Sequence, residues 1–286
     1  MTSPQPPSDA LSAEALRRRL PPRVSPIIRE ALASTSSELR PLAAGGASEL
    51  TLIVAAEQSA GRGRRGRAFF SPGGSGVYFS LLLRPKAQDF SAARVTALAA
   101  VAAAEACEAL FGVAAGIKWV NDVYVNGRKV AGILAEAFYD NGFYVILGIG
   151  ANIAPPPGAF PADLPNAGAM TASPPPMARE EYVAETVRRF LELYENGDTG
   201  AILERYRARS ILTGRRVVVH GAAEPYTAEV IGIAEDFSLV TRRVAVGENG
   251  ALRKGGVFGY NTGKGVPPAF EALRYEEVSL ELENSD

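Results

Sequence analysis

The sequence predicts an α/β domain, built on a mixed or antiparallel sheet, followed by a small β domain. Apolar runs at 49–57 and 77–83 predict two buried strands. Two Asn-Gly pairs, at 126–127 and 141–142, each predict a tight hairpin, because Asn-Gly favours the type I′ turn. After Gly214 the pattern changes to short strands, which indicates a separate all-β unit.

The length of 286 residues is enough for two domains with cores of their own. We expect a tail with one short, exposed helix at 1–24, the α/β domain at 25–212 and the β domain at 213–286. A helix-turn-helix unit needs roughly three helices, and residues 1–24 leave no room for them. We therefore expect that the tail does not bind DNA sequence-specifically.

Composition excludes several classes of site. The formal net charge is −1, so any anion binding has to be local. Cys107 and His220 are each the single residue of their type, which excludes a disulfide framework, a thiolate metal cluster and histidine-based triads or zinc sites. The N-terminus lacks the apolar core of a signal peptide, and the apolar run at 92–111 carries charged residues. We expect a cytoplasmic protein that does not span a membrane.

The remaining elements follow from caps and turns. Ser91 can cap the helix that covers the apolar run, and Gly112 can end it. The two hairpins together predict a three-stranded antiparallel meander. The expected ranges are strands near 121–125, 128–139 and 143–153, a Pro- and Gly-rich loop at 155–176, and helices within 178–210.

Two-residue turns would fix the register of this meander. The expected pairs are Tyr124 with Lys129, Asp122 with Ala131, Ala131 with Asn152, and Ile133 with Gly150. With alternating side chains, one face would carry Asp122, Lys129, Asn152, Gly148 and Gly150, and the glycines would leave room for a ligand. The alternative is a plain cross-strand ion pair between Asp122 and Lys129 on a solvated face. A bulge in either strand would change the counting.

The stretch GRGRRGRAFFSPGGSGVYFS, residues 61–80, places four arginines on flexible backbone. These are Arg62, Arg64, Arg65 and Arg67. Three interpretations compete: a surface linker, a nucleic-acid segment of the Arg-Gly-Gly type, and a lid over a phosphate-bearing small molecule. We favour the lid, because the stretch occurs once between two buried strands, and because guanidinium groups bind phosphate oxygens bidentately. It is not a Walker A loop.

Four motifs, in this order, resemble the biotin–protein ligases. They are AST at 33–35, the 61–80 stretch, KWVNDVYVNGRKVAGILAE at 118–136 and GIGANI at 148–153. The resemblance covers about 25–212 and, more faintly, the C-terminal β domain. It implies a class II synthetase-like catalytic domain and a small SH3-like β-barrel.

The resemblance also implies a two-step reaction. Biotin and ATP, with Mg²⁺, would give biotinyl-adenylate and pyrophosphate, and the adenylate would then acylate one lysine of a biotin carboxyl carrier protein. The arginine-rich stretch would be the adenylate-binding lid. The implied partners are biotin, ATP and the carrier, with no DNA and no membrane; the resemblance leaves both a monomer and a homodimer open.

Site residues are carried over from the same motifs. The implied biotin-binding residues are Ser34, Thr35, Ser36, Gln58, Gly61, Arg62, Gly63, Arg64, Lys129 and Gly132. The implied ATP- and adenylate-binding residues are Arg64, Arg65, Arg67, Phe69, Lys118, Asn121 and Asn152. The implied catalytic residues are Lys129, Arg64 and Asp122, and no residue is assigned to a metal. Gly132, Gly148, Gly150 and Ile133 could build the walls of a biotin pocket.

Four positions depart from the family pattern. They are Ser36 for asparagine, Val120 for proline, Phe69 for tryptophan and Glu281 for arginine. A nucleotide contact from the chain end is therefore not expected. Trp119 is expected to pack beside the site. The rival functions are a lipoate–protein ligase, which has a related fold, and a nucleic-acid-binding protein that uses the arginine-rich loop.

Overall fold

A computed structural model describes residues 11–220, 224–246, 252–253, 271–273 and 279–282. Its centre is a seven-stranded sheet with the order β1-β2-β3-β7-β6-β5-β4. The strands are β1 (Ser25–Leu32), β2 (Thr51–Gln58), β3 (Gly76–Leu83), β4 (Ala115–Lys118), β5 (Asp122–Val125), β6 (Arg128–Phe138) and β7 (Tyr144–Asn152). β1 and β2 are parallel and every other neighbouring pair is antiparallel. The predicted mixed sheet is confirmed.

Helices cover both faces of this sheet. They are α1 (Ala13–Arg19), α2 (Thr35–Ala44), α3 (Ala92–Phe111), α4 (Ala178–Asn196) and α5 (Thr199–Ala208). α3 begins at a Ser91 cap and ends at Gly112, whose φ is 64°, as predicted. Two hydrophobic cores lie on the two faces of the sheet, one with α3 and one with α2. Because side chains alternate between the faces along β2, Leu52 belongs to the core with α3 and Ile53 to the core with α2. Among the described residues, no helix has the length and apolarity needed to cross a membrane.

The helix α1 is part of the α/β core, which corrects the expectation of an exposed tail. The Ser12 hydroxyl caps it by accepting from Ala15 N at 3.2 Å, and Ser12 N donates to Glu180 Oε1 at 2.8 Å. Leu16 is fully buried in the larger core. The physical reason is amphipathicity: one face of this short helix is apolar, and α4 offers the surface that buries it.

The meander forms, but three of its four predicted residue pairs are wrong. Tyr124 pairs with Lys129 as predicted, and a bulge then shifts the ladder so that Asp122 pairs with Gly132 instead of Ala131. The extra residue in β6 is the cause. Asp122 and Gly132 therefore lie side by side.

The second hairpin differs because its turn is longer than two residues. Its last pair is Phe138 with Tyr144, so five residues connect the strands. Ala131 consequently pairs with Ala151, and Gly132 with Gly150, rather than Ala131 with Asn152 and Ile133 with Gly150. Combined with the bulge, this shift aligns Asp122, Gly132 and Gly150 in one row across three strands.

A five-stranded sheet follows the α/β domain, with the order β13-β10-β9-β8-β14, and β11 pairs with β12 beside it. The strands are β8 (Arg216–His220), β9 (Tyr226–Ile233), β10 (Leu239–Arg243), β11 (Ala245–Val246), β12 (Leu252–Arg253), β13 (Glu271–Leu273) and β14 (Ser279–Leu282). The described strands fit a small β unit. The SH3-like barrel stays a prediction, because 254–270 and 274–278 lie outside the described residues.

Three helices behind the sheet meet at the carboxylate of Glu105. This side chain of α3 is 8% exposed. It accepts from Arg189 of α4 at 3.2 Å, from Arg205 Nε of α5 at 2.9 Å, and lies 3.5 Å from Arg209 Nη1. Burial by itself raises the pKa of Glu105, but the hydrogen bond from Arg205 and the three positive charges outweigh it, so the pKa lies below its ordinary value.

Replacing Glu105 with Gln should lower the free energy of unfolding by about 3 kcal/mol near neutral pH, because three arginines lose their shared counter-charge. In the wild type, the ionised Glu105 carboxylate contributes fully to the free energy of unfolding at pH values above its ordinary pKa of 4.5. This contribution is lost as the pH falls through the lower pKa of the folded state. Urea denaturation at several pH values should therefore show a flatter acid dependence for the variant.

The matched control is Glu14→Gln, since the Glu14–Arg18 pair is mostly exposed. It should change the free energy of unfolding by less than about 0.5 kcal/mol. Equal losses in the two variants would contradict a structural role for the Glu105 cluster.

Candidate functional site

A cavity of about 180 Å³ lies on the α2 side of the sheet, over β5, β6 and β7. Its floor is formed by three glycines, Gly132, Gly148 and Gly150, which we call the glycine floor. The other lining residues are Ser34, Thr35, Ser36, Gln58, Arg62, Gly63, Arg64, Arg65, Arg67, Ala68, Phe69, Lys118, Trp119, Asn121, Asp122, Lys129, Ile133, Leu134 and Ile149. Segments far apart in the chain thus meet around one space.

The structure brings nearly all the residues predicted for the site into this wall. Two are not among its lining residues. Gly61 is buried at the start of the arginine-rich loop, where an added Cβ would lie 2.4 Å from Phe69 O. Asn152 is turned to the 155–176 connection and donates from Nδ2 to Gly168 O at 3.0 Å.

Sequence reasoning did not assign Ala68, Leu134, Ile149 or Trp119 to the wall. Trp119 was expected to pack beside the site, yet it lines the cavity directly. Adjacency was the available signal, because Ala68 and Trp119 stand between predicted site residues in two motifs.

One end of the cavity is a cluster of hydroxyl and amide groups at the N-terminus of α2. Ser34 Oγ and Ser36 Oγ are 3.1 Å apart and buried. Thr35 donates to Gln58 Oε1 from its backbone N at 2.8 Å and from its hydroxyl at 3.2 Å. The Thr35 hydroxyl also lies 2.8 Å from Ser80 Oγ. This end therefore presents both donors and acceptors to a polar ligand group.

Gln58 joins this polar end to the arginine-rich loop. Its Nε2 donates to Ser71 Oγ at 3.0 Å, and Ser71 Oγ donates to Phe69 O at 2.9 Å. The backbone N of Gln58 donates to Ser71 O at 3.0 Å. One amide side chain thus bridges the first turn of α2 and the returning arm of the loop.

The loop itself is a compact hairpin folded over the cavity. Arg62 bridges Ala68, and Gly63 N donates to Arg67 O at 2.7 Å. Arg65 has a φ of 57° at the tip. Two guanidinium groups fix the hairpin to the sheet, because Arg62 Nη2 lies 2.7 Å from Glu136 Oε1 and Arg64 Nη1 donates to Asn121 Oδ1 at 3.2 Å.

The Phe69 ring lies directly on the glycine floor. A Cβ added to Gly150 would be 2.6 Å from the ring, and one added to Gly132 would be 3.0 Å from it. Lys129 Nζ is 5.7 Å from the ring centroid. Only a side-chain-free sheet surface allows a flat ring to lie this close to the backbone.

The opposite end of the cavity is strongly positive. Lys129 Nζ lies 2.7 Å from Asp122 Oδ1, and the two side chains are 31% and 20% exposed. The predicted proximity is confirmed, and the pair lies in the cavity wall rather than on a solvated face. Lys118 and the arginines of the loop line the same end, with Asp122 as the single carboxylate among the lining residues. This balance favours an anionic ligand.

Comparison with known proteins agrees with this geometry. Residues 35–152 match the sequence model of the Biotin/lipoate A/B protein ligase family. The biotin--[acetyl-CoA-carboxylase] ligase of Mycobacterium tuberculosis is 32% identical over 213 residues, which cover 71% of this chain and 76% of that protein. The chain belongs to the biotin–protein ligase family. The resemblance inferred from the four motifs is confirmed.

Other members of the family match over a shorter range. The bifunctional ligase/repressor BirA of Bacillus subtilis is 43% identical over 140 residues, covering 48% of this chain and 43% of BirA. The biotin--[acetyl-CoA-carboxylase] ligase of Paracoccus denitrificans is 43% identical over 130 residues, covering 44% and 53%. The match thus spans about half the length of these two relatives.

Solved structures of the family share the fold. The biotin protein ligase of Aquifex aeolicus, in complex with biotin and ATP, superposes with a TM-score of 0.70 at 23% identity, covering 91% of this chain and 99% of that one. The Helicobacter pylori biotin acetyl coenzyme A carboxylase synthetase, with bound biotinylated ATP, has a TM-score of 0.59 at 21% identity, covering 76% and 96%. The mixed sheet and its helices are therefore the fold of this family.

Replacing Gln58 with Ala should cost about 2 kcal/mol of folding free energy, because the Thr35 N–H and the Ser71 hydroxyl lose a shared partner. Denaturant unfolding measures the loss. The exposed Gln88→Ala is the control and should be neutral. If both variants were equally stable, the bridge between α2 and the loop would have no energetic role.

Proposed function

We propose that this chain is an ATP-dependent biotin–protein ligase. It would form biotinyl-adenylate from biotin and ATP and transfer the biotinyl group to one lysine of a biotin carboxyl carrier protein. The observation that carries the proposal is the polarity of this cavity: neutral hydroxyl and amide groups line one end, glycines the middle and cations the other end. Biotin joined to a nucleotide has the same order of neutral polar head, apolar middle and anionic end.

The neutral end suits the ureido group of biotin, which both donates and accepts hydrogen bonds. Ser34, Ser36 and Thr35 supply hydroxyl groups there, and Gln58 supplies an amide. The apolar ring and chain of biotin would lie along the glycine floor. Because the Phe69 ring lies on the same floor, the arginine-rich loop would open for biotin and close again with Phe69 packed against the ligand.

The cationic end suits the first chemical step. The biotin carboxylate attacks the α-phosphorus of ATP, the carboxyl oxygen–phosphorus bond forms, and pyrophosphate leaves with the electron pair of the broken bond. Two anions have to approach each other, and Lys129 and Arg64 would offset that repulsion. Asp122 would hold the ammonium group of Lys129 in place, since the two groups are 2.7 Å apart.

The second step is acyl transfer to the carrier. A lysine amine attacks the carbonyl carbon of the adenylate, the amide bond forms, and AMP leaves. The neutral amine must lose one proton on the way to the amide. Closure of the loop before this step would limit hydrolysis by excluding water from the adenylate.

Magnesium would arrive with ATP. Among the described residues there is no group of three or more Asp, Glu, His or Cys side chains placed to hold a metal ion. The donor set fits the usual behaviour of Mg²⁺, which binds substrate phosphates together with one or two carboxylates and water. Asp122 is the carboxylate available in the cavity wall, and Mg²⁺ would neutralise phosphate charge there.

The proposed function also bears on the cellular location, on DNA binding and on the oligomeric state. A cytoplasmic location suits an enzyme that uses ATP and a carboxylase carrier.

We propose no sequence-specific DNA binding, because α1 packs against α4 instead of forming part of a DNA-binding unit. A homodimer stays open, and a solution mass measurement decides it.

Lipoate is the alternative substrate, since the family model covers both biotin and lipoate ligases. The biotin--[acetyl-CoA-carboxylase] ligases of Paracoccus denitrificans and Mycobacterium tuberculosis, to which the chain is similar, favour biotin. A thermal-shift comparison separates the two. Biotin with Mg-ATP should raise the melting temperature more than either alone, and a ligand at 100 times its dissociation constant adds roughly 2.7 kcal/mol. A shift with lipoate and none with biotin would reverse the assignment.

Replacing Lys129 with Ala should slow adenylate formation by about 10² to 10³, the usual effect of losing one preorganised transition-state donor. Folding should change little, because this side chain lines a cavity and fills no core. Lys129→Arg should rescue poorly, since a planar fork does not replace a compact ammonium. The measurement is single-turnover pyrophosphate release with the melting temperature followed in parallel. The exposed Lys86→Ala is the control; near-normal release by Lys129→Ala would reduce this lysine to a structural ion pair.

A further inference from the structure

The indole of Trp119 is held by the C-terminal β unit. Its Nε1 donates to Phe237 O at 2.8 Å, a buried hydrogen bond between residues 118 positions apart. Trp119 is 5% exposed and lines the cavity. The residue therefore touches the candidate ligand space on one side and a different structural unit on the other.

Phe237 occupies an unusual backbone conformation. It lies in the turn between β9 and β10, has a φ of 64°, and is 1% exposed. The left-handed region is unfavourable for a bulky L-residue, and such a conformation persists only where the surroundings determine it. The turn meets that condition.

Hydrogen bonds within the turn fix Phe237. Phe237 N donates to Ala234 O at 3.0 Å, and Ala234 N donates to Ser238 O at 2.9 Å. Asp236 Oδ1 accepts from Ser238 N at 3.0 Å and from Ser238 Oγ at 2.6 Å. The carbonyl of Phe237 is thereby aimed out of the β unit and towards Trp119.

The ring of Phe237 packs beneath the same part of the site. It meets Tyr206 of α5 edge-on, with centroids 6.0 Å apart and planes at 80°. Tyr206 is fully buried. Burial raises the pKa of Tyr206 well above its ordinary value; the charge of Asp122 raises it further and that of Arg64 lowers it. The phenol thus lies within electrostatic reach of two proposed catalytic side chains.

The segment that carries Trp119 also carries the site groups. Lys118 pairs with Asp122 across the β4–β5 turn. Asn121 accepts from Arg64, and its own Nδ2 donates to Ile133 O at 3.1 Å. Bonds from Asn121 tie the inner side of this turn to β6 and the loop, and the bond from Trp119 ties its outer side to the β unit.

We propose that Phe237 is a positioning residue for the adenylation site: its carbonyl fixes the indole of Trp119, and thereby the turn that presents Lys118, Asn121 and Asp122. The inference deepens the proposed function and rests on it. It gives the C-terminal unit a role in catalysis that requires no direct contact with the nucleotide.

A purely structural contact between the two units is the competing explanation, and the chain offers a matched control. Arg207 of α5 donates from Nε at 3.0 Å and from Nη2 at 2.6 Å to Ile233 O of β9. This contact joins the same two units without touching Trp119. Arg207→Gln should therefore lower the melting temperature and leave adenylate formation unchanged in the folded protein.

The test variant is Phe237→Val, because a β-branched residue disfavours the left-handed conformation and should turn the carbonyl away. We expect single-turnover adenylate formation to slow about tenfold, as for misplaced reacting groups. Trp119 is the only tryptophan in the chain, so its fluorescence reports the contact. Its emission should shift to longer wavelength and become more open to acrylamide quenching. Phe237→Gly, which accepts this φ and keeps the carbonyl in place, should leave the emission close to that of the wild type.

A double-mutant cycle completes the test. If Phe237 acts through Trp119, adding Trp119→Phe to Phe237→Val should slow adenylate formation no further. If Phe237→Val does not fold, Asp236→Ala, which removes the side-chain brace of the turn, takes its place in the same measurements. Wild-type emission and rate in a folded turn variant, or additive effects in the cycle, would overturn the proposal. Absence of adenylate formation in the wild type would instead overturn the proposed function.

Discussion

The glycine floor is the constraint on which the rest of the site depends. Gly132 and Gly150 lie opposite each other on β6 and β7, where an added Cβ would lie 3.0 Å and 2.6 Å, respectively, from the Phe69 ring. A sheet is normally covered by side chains at every second residue on each face. Their absence here opens a shallow, flat space in the middle of the sheet. The hydroxyl cluster, the arginine-rich loop and the Lys129–Asp122 pair are arranged around that space.

Three of the cations around this space can lie close together because each of them has a partner side chain of its own. Arg62 is paired with Glu136, Arg64 is bonded to Asn121, and Lys129 is paired with Asp122. Each partner lies on β5 or β6 or in the turn just before β5, so the sheet fixes the directions of the positive groups. Electrostatic preorganisation of this kind is effective because the groups need not be reoriented as charge develops.

The Glu105 cluster and the candidate site lie on opposite sides of the sheet. The Glu105 cluster joins α3, α4 and α5 on the face away from the glycine floor. α5 and the residue that follows it link the two sides, since Arg209 O accepts from Ile117 N of β4 at 2.6 Å and Tyr206 of α5 contacts Phe237. A change in the helical layer can therefore reach β4 and the turn that follows it through backbone hydrogen bonds.

The sequence by itself determined the local structure and the chemistry of this protein. The caps of α3, the buried strands, the two Asn-Gly turns and the order of the motifs all follow from short-range preferences and from residue types. Those features were enough to predict the mixed sheet, the family and most of the cavity wall.

The tertiary structure decided the register and the long-range contacts. A bulge in β6, opposite Val123 and Tyr124, and a five-residue connection after Phe138 changed which residues face each other. The burial of α1, the Gln58 bridge and the bond from Trp119 to Phe237 were also settled only by the fold. The physical reason is that such contacts depend on how whole elements pack, and local propensity carries no information about the partner that a residue meets on another element.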